Sequence, residues 1–189
     1  MAAEDQEFEQ LLETMKRAAG VLREANVEFV LGGGLACWAR GAPKTEHDVD
    51  FLVKPDDAER ALQALADAGL RTERPPEGWL LKAHVDDVLV DLIFDPNGGA
   101  VDDDMFARAE DMEVHATRLK VAALEDVLVQ KLLALSEQDP DFSSVLELAR
   151  ALREQVDWDD VRTRTESSAF AKGYFTMLDQ LEIVPRQTA

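Results

Sequence analysis

Asp48 and Asp50 stand two residues apart in the stretch HDVDFLV, residues 47–53. In an extended strand, residues two apart point to the same face. The two carboxylates therefore project together, while His47, Val49, Phe51 and Val53 face the other way, and the apolar Val-Phe-Val set marks that second face as core. Carboxylates set side by side repel, and one protonates unless a cation lies between them. A divalent ion supplies such a cation, and oxygen-only donors suit Mg²⁺ or Mn²⁺ rather than zinc. Pairs of this kind also occur on solvated strand faces with no chemical role, so the pair alone leaves both readings open. Asp91 shifts the balance. It lies inside VLVDLIF, an otherwise apolar stretch, where an unpaired buried charge costs several kcal/mol. If that stretch is a strand beside HDVDF, the third carboxylate completes a cup able to hold two metals about 3.5–4 Å apart, the arrangement of in-line phosphoryl chemistry.

Upstream, Gly32, Gly33 and Gly34 fall between a strand and a helix. Backbone N–H groups there can point at a phosphate, and glycine lets the backbone approach closely. The run is neither a dinucleotide-binding fingerprint nor a Walker loop. Lys131 interrupts a helical apolar stripe of Leu124, Val127, Leu128, Leu132 and Leu135. It either snorkels along the core edge to water or reaches a triphosphate or a site carboxylate. Arg40, Lys44 and Lys82 carry the same ambiguity between phosphate or acceptor contact and plain surface charge. His47 faces away from the aspartates by strand parity, His84 and His115 lack metal-ligand spacing, and Trp38, Trp79 and Trp158 read as packing residues. Trp79, after RPPEG, has the alternative of stacking on a base or acceptor ring.

The elements that must position these groups follow from periodicity. Phe8, Leu11, Leu12, Met15, Ala19 and Leu22 recur at three- and four-residue steps, which predicts an amphipathic helix. NVEFVL reads as a strand, Leu35–Arg40 as a helix, HDVDFLV as a second strand, and PDDAERALQALADAGL as a helix with a proline start and a stop at Gly69. GWLLKAHV and VLVDLIF, joined by Asp86-Asp87, predict a hairpin without the usual turn glycine. DPNGGAVDDD reads as a loop and MEVHATRLKVA as one further strand, bent or straight. From Leu124 onward the pattern is helical. The expectation is an α/β (α+β) fold: a mixed sheet flanked by helices over residues 1–120, and a helical C-terminal portion, residues 121–189, packed on it.

Charge limits the partners. The chain of 189 residues carries 39 acidic and 20 basic residues, a net −19. Such a field repels a polyanion, since nucleic-acid binders place Lys and Arg on phosphates. No run of 18 or more apolar residues is present, the first residues lack the basic and apolar regions of a signal peptide, and a single cysteine, Cys37, forms no internal disulfide. The expected location is the reducing cytoplasm, with no membrane partner.

LGGGLACWARGAPKTEHDVDFLV followed by VLVDLIF resembles the nucleotidyltransferase superfamily typified by DNA polymerase β. More narrowly, it is similar to stand-alone bacterial members that include toxin–antitoxin enzymes and antibiotic nucleotidyltransferases. Their pattern is a glycine pair opening a helix, a D-x-D strand and a third carboxylate nearby, matched by Gly33-Gly34, Asp48/Asp50 and Asp91. The resemblance spans residues 27–95 and extends through EDVLVQKLLAL to about 135. It implies transfer of a nucleoside monophosphate from an NTP such as ATP to a hydroxyl acceptor, with Mg²⁺ or Mn²⁺ bound by Asp48, Asp50 and Asp91. Asp91 would also receive the acceptor's proton. Nucleotide would lie against Gly33, Gly34, Lys44 and Lys131. The acceptor is a small molecule or a tRNA end, and a cognate antitoxin or other protein partner is implied for the toxin-like members. Two departures stand out: Gly34 occupies a position where relatives carry serine, and KTEH places Lys44 and Thr45 at an altered spacing. The alternative is a nucleotidyltransferase-fold module without turnover that acts through a protein partner. Hydrolysis on the same cup ranks last, because hydrolytic metal sites more often include histidine.

Overall fold

A computed structural model describes residues 2–45, 48–97 and 99–184, and His47 lies outside the described residues. In chain order the elements are α1 (Ala2–Glu24), β1 (Val30–Leu31), α2 (Gly33–Trp38), β2 (Asp48–Leu52), α3 (Pro55–Asp67), β3 (Arg71–Glu73), β4 (Leu80–Val85), β5 (Val88–Ile93), α4 (Asp103–Arg108), β6 (Glu110–Val114), β7 (Thr117–Val121), α5 (Leu124–Ala134), α6 (Ser143–Leu152), α7 (Trp158–Arg164) and α8 (Ala169–Gln180). The strands form one mixed sheet in the order β3-β4-β5-β2-β1-β7-β6. β2 runs parallel to β5 and β1 parallel to β7, while the remaining neighbours are antiparallel. This is the mixed α/β architecture expected from the pattern.

Local chemistry explains the elements. The stripe of α1 is buried from Phe8 to Leu22, and the helix ends where Asn26 adopts φ 53° and Val27 N–H donates to the Leu22 carbonyl. α3 opens on Pro55, whose missing N–H is unneeded in a first turn. It closes on Gly69 at φ 83°, with Leu70 N–H donating to the Leu65 carbonyl. In β2, Val49 and Phe51 are fully buried, and Phe51 packs edge-on against Phe29 at 4.9 Å between ring centres. Burying Phe51 stabilises the fold by about 2–3 kcal/mol. β2 therefore points its apolar set into the core and leaves its two carboxylates on the opposite face.

Two clusters of buried side chains share α5. Leu124 and Val127 belong to the cluster under α1, α3 and the sheet; Leu128, Val129 and Leu132 belong to the one among α5, α6, α7 and α8. A charged fastening reinforces this junction. Asp126 of α5 is fully buried, accepts two hydrogen bonds from Arg108 of α4 at 3.0 and 2.9 Å, and a third from Arg164 of α7 at 2.5 Å. α5, which carries Lys131, is thereby tied to α4 and α7.

The structure corrects several sequence expectations. MEVHATRLKVA is a hairpin, β6 and β7, whose turn residues His115 and Ala116 both take positive φ, 47° and 57°. No glycine marked that turn. The DDD read as the end of a loop instead caps and opens α4, with Asp102 accepting from the Met105 N–H. Arg71–Glu73 is an edge strand that its polar residues concealed. NVEFVL contributes only two residues to the sheet, Val30 and Leu31. The hairpin of β4 and β5 forms as expected, with Asp86 at φ 53° serving where glycine is usual. Among the described residues no helix is long and apolar enough to cross a membrane.

Candidate active site

The parallel pairing of β2 with β5 sets Asp50 directly opposite Asp91, and the antiparallel pairing of β4 with β5 sets Lys82 opposite Asp91. Asp48 shares the Asp50 face one pleat earlier. A carboxylate oxygen from each of Asp48, Asp50 and Asp91 lies within 4.8 Å of the other two. Asp48 and Asp50 are half-buried, and Asp91 is 7% exposed. Lys82 Nζ stands 3.5 Å from Asp91 Oδ1, yet that buried oxygen accepts no hydrogen bond. Burial, followed by the charges of Asp48 and Asp91, pushes the Asp50 carboxyl up to about 7 against the pull of Lys131 and Lys82. Burial raises the Asp91 carboxyl too, with Lys82 opposing and Asp48 adding to the shift.

Such a cluster is destabilising as a set of bare charges. One orphaned carboxylate oxygen and three converging acids form an all-oxygen donor set, which fits a hard divalent cation. The fit rests on Asp91 Oδ1 as much as on the D-x-D pair.

The glycines fit closely against this cup. Gly32 N–H donates to the Asp50 carbonyl at 2.8 Å. Gly33 takes φ 54°, and a Cβ there would lie 1.6 Å from Asp50 Oδ2. No other residue fits without displacing the carboxylate. A Cβ on Gly34 would lie 2.4 Å from Thr45 Oγ1. The space a side chain at position 34 would fill is thus taken by the Thr45 hydroxyl. Gly34 needs to be glycine because Thr45 is there, a coupling invisible without the fold.

Lys131 borders two clefts. One, of about 510 Å³, is lined by Gly34, Lys44, Thr45, Lys131, Ser144 and Glu147 among others. The second, of about 180 Å³, includes Gly33, Asp50, Trp79, Val127 and Lys131 in its lining. Lys131 therefore faces the carboxylate cup instead of open solvent, and its charge acts on Asp50. Lys44 lines the larger cleft while ion-paired to Asp5 of α1 at 2.6 Å and sitting 5.2 Å from the centre of the Phe8 ring. Lys82 is held against Asp91.

Other basic residues, histidines and tryptophans lie elsewhere. Arg40 lies in a separate cleft with Glu110, Met112 and Gln155, its guanidinium 3.6 Å from Glu110. His84 pairs loosely with Glu73 at 3.8 Å, and His115 sits at the β6–β7 turn beside Glu9 and Glu13. Trp38 packs on Phe8 and Trp158 on Phe175. Trp79 departs from the packing expectation: it is 39% exposed and lines the smaller cleft. Asn97, Gln130 and Ser144 also reach the clefts. Nothing in sequence singled them out, since isolated polar residues in loops and helices carry no spacing signal.

A family model described as "uncharacterised nucleotidyltransferase" matches residues 2–183. No curated protein matches the sequence. The solution structure of the antibiotic-resistance factor ANT(2'')-Ia is similar, with a TM-score of 0.64 at 12% identity over 90% of this chain and 96% of that one. The crystal structure of ANT(2'')-Ia in complex with adenylyl-2''-tobramycin gives 0.63 at 12% identity over 86% of this chain and 98% of that one. An antigenic nucleotidyltransferase-like protein from Paracoccidioides brasiliensis gives 0.52 at 13% identity over 97% and 95% of the respective chains. At these identities the likeness to solved structures is one of fold.

Proposed function

Since the chain belongs to this nucleotidyltransferase family over nearly its whole length, we propose that it transfers a nucleoside monophosphate from an NTP to an acceptor hydroxyl, with Asp48, Asp50 and Asp91 as the metal-binding and catalytic residues. The observation that carries the proposal is the convergence of those three carboxylates within 4.8 Å beside two clefts that share Lys131.

Mg²⁺ or Mn²⁺ held by the three carboxylates would supply charge neutralisation for the phosphoryl oxygens and the leaving group. The chain's own groups do the remaining work. Lys44 and Lys131, with the Thr45 hydroxyl and the Gly34 backbone, bind the β- and γ-phosphates in the larger cleft, and the Gly33 backbone meets the nucleotide from the edge of the smaller one. Asp50, fixed against Gly33, and Asp48, on the same strand face, would hold the ion for the α-phosphate. Asp91 takes the proton of the acceptor hydroxyl. The acceptor oxygen bonds to the α-phosphorus, the bond from that phosphorus to the bridging oxygen breaks, and pyrophosphate leaves toward Lys44 and Lys131. Lys82 holds Asp91 in place as a positioning residue. The hydroxyl of Thr45 makes up for the missing serine at position 34. Residues 1–120 carry the chemistry on this reading, and the helical portion from 121 contributes Lys131 and walls both clefts.

Calorimetric titration of ATP, GTP, CTP and UTP with Mg²⁺ tests the proposal. Metal-dependent binding of at least one nucleotide, abolished by Asp50→Asn, is the expected result. Absence of binding for all four would overturn the transfer reading in favour of a scaffold without turnover.

A further inference from the structure

The two clefts flanking Lys131 differ in kind. The larger carries Lys44, Thr45 and Ser144. The smaller, about 180 Å³, is walled by Trp79, Ile93, Pro96, Val127 and Ala134. Asp50 and Lys131 are the charged side chains in the described lining of the smaller cleft, and the proposed function engages both. Asn97 and Gln130 add neutral amides. A polycation entering there would find no spare carboxylate, and a polyanion no spare cation.

Trp79 shapes this cleft. Its backbone carbonyl accepts from Phe94 N–H at 3.1 Å and Asp95 N–H at 3.2 Å, which fixes the residue at the open end of the β4–β5 pair. Its ring nevertheless remains 39% exposed, one of two large apolar side chains so exposed among the described residues. A ring anchored by its backbone and left uncovered beside aliphatic walls presents a flat apolar face to a ligand.

In-line displacement fixes which ligand. The attacking hydroxyl must approach the phosphorus opposite the leaving pyrophosphate. With the phosphates among Lys44, Thr45 and Lys131 of the larger cleft, the smaller cleft is the other space beside the cup: Asp50 lines it, and Asp91 stands opposite Asp50 in the strand register, a carboxylate oxygen of each within 4.8 Å. We propose that this cleft binds the acceptor, and that the acceptor is an uncharged hydroxylated molecule presenting an apolar ring or aliphatic face to Trp79. The inference rests on the nucleotidyl-transfer reading and adds the substrate class.

The test uses phenyl β-glucoside, methyl β-glucoside, tobramycin and a CCA-ended tRNA as probes, read through the Trp79 indole and Ala134 methyl NMR signals of the full chain. Phenyl β-glucoside is expected to shift both signals at millimolar concentration, with methyl β-glucoside and the Trp79→Ala variant each about tenfold weaker in affinity. Absence of a shift up to about 20 mM phenyl β-glucoside, the range expected for a fragment of this size, would overturn the proposal. A stronger response to tobramycin or tRNA would also overturn it, by pointing to a charged acceptor. Trp79→Ala is expected to leave the calorimetric affinity for Mg–NTP unchanged. A tenfold loss there, about 1.4 kcal/mol, would place the nucleotide base in this cleft and refute acceptor binding. Ring binding by a protein that binds no Mg–NTP would refute the transfer reading and the acceptor assignment, leaving a plain ring-binding cleft.

Discussion

Gly33→Ala separates the geometry of the cup from ordinary strain. Position 33 has φ 54°, which an alanine tolerates at a cost of about 1–2 kcal/mol. For a chain of this size that lowers the melting temperature by roughly 2–8 °C. The second effect is local. The added Cβ would stand 1.6 Å from Asp50 Oδ2, whereas a non-bonded approach is roughly 3.5 Å. The carboxylate must therefore retreat by roughly 2 Å, well beyond the ~0.5 Å within which a functional group keeps its geometry. Metal-dependent nucleotide affinity should fall by at least ~10–100-fold. Gly69→Ala is the control. It also sits at positive φ, 83°, but its Cβ meets nothing within 4 Å, so it should lose comparable stability and keep nucleotide binding. The paired measurement is thermal unfolding plus calorimetric titration of Mg–ATP, with whichever NTP binds the wild type substituted for ATP. If Gly33→Ala binds nucleotide as the wild type does, the contact between Gly33 and Asp50 does not position the metal site, and the reasoning fails.

Four further outcomes are expected. In metal-free protein the Asp50 carboxyl is raised to about 7 by burial and its acidic neighbours, so the folded state holds its proton more tightly than the unfolded chain. That contribution is greatest below the unfolded value near 3.8 and is lost as pH rises toward about 7, by at most about 4 kcal/mol. Asp50→Asn should accordingly melt higher than wild type at pH 8 without metal, and an unchanged or lower melting temperature there would contradict the shift. Asp126→Ala should destabilise by about 3–5 kcal/mol, because it strips the buried partner from Arg108 and Arg164; a change below about 1 kcal/mol by urea titration would argue against the fastening. Lys131→Met should weaken NTP binding about tenfold or more while leaving the melting temperature within a few degrees, since its head group borders both clefts; retained affinity would confine it to packing. Tyr174→Phe removes a buried hydroxyl that donates to the Val145 carbonyl at 2.6 Å and should cost about 1–3 kcal/mol, measured by the same titration, with no effect on nucleotide affinity.

Much of this is legible in the residues themselves. Alternation in HDVDFLV separates carboxylates from core because strand side chains have a period of two, and Val49 and Phe51 are fully buried while Asp48 and Asp50 are not. The acid inside VLVDLIF stood out because burial of a lone charge demands a partner. The ends of α3 announced themselves at Pro55 and Gly69, whereas α4, capped by Asp102, was hidden in a stretch read as loop. The β6–β7 turn did not, because His115 and Ala116 adopt positive φ without being glycine.

Sequence by itself determined which faces are apolar, which residues could ligate an ion, and to which family the chain belongs, since these depend on residue type and local spacing. Only the tertiary structure decided that Asp91 stands opposite Asp50, because strand order β5-β2 joins segments about 40 residues apart in the chain. The same holds for Lys131, whose helix is tied to α4 and α7 by Arg108 and Arg164 on Asp126 and whose side chain borders both clefts. It also holds for Thr45 against Gly34 and for Trp79 left uncovered beside the smaller cleft. Gly34 and Thr45 share one short stretch of sequence yet meet only through the path of the folded chain, and the other meetings join distant segments by packing and long-range pairing, which no local window of sequence contains.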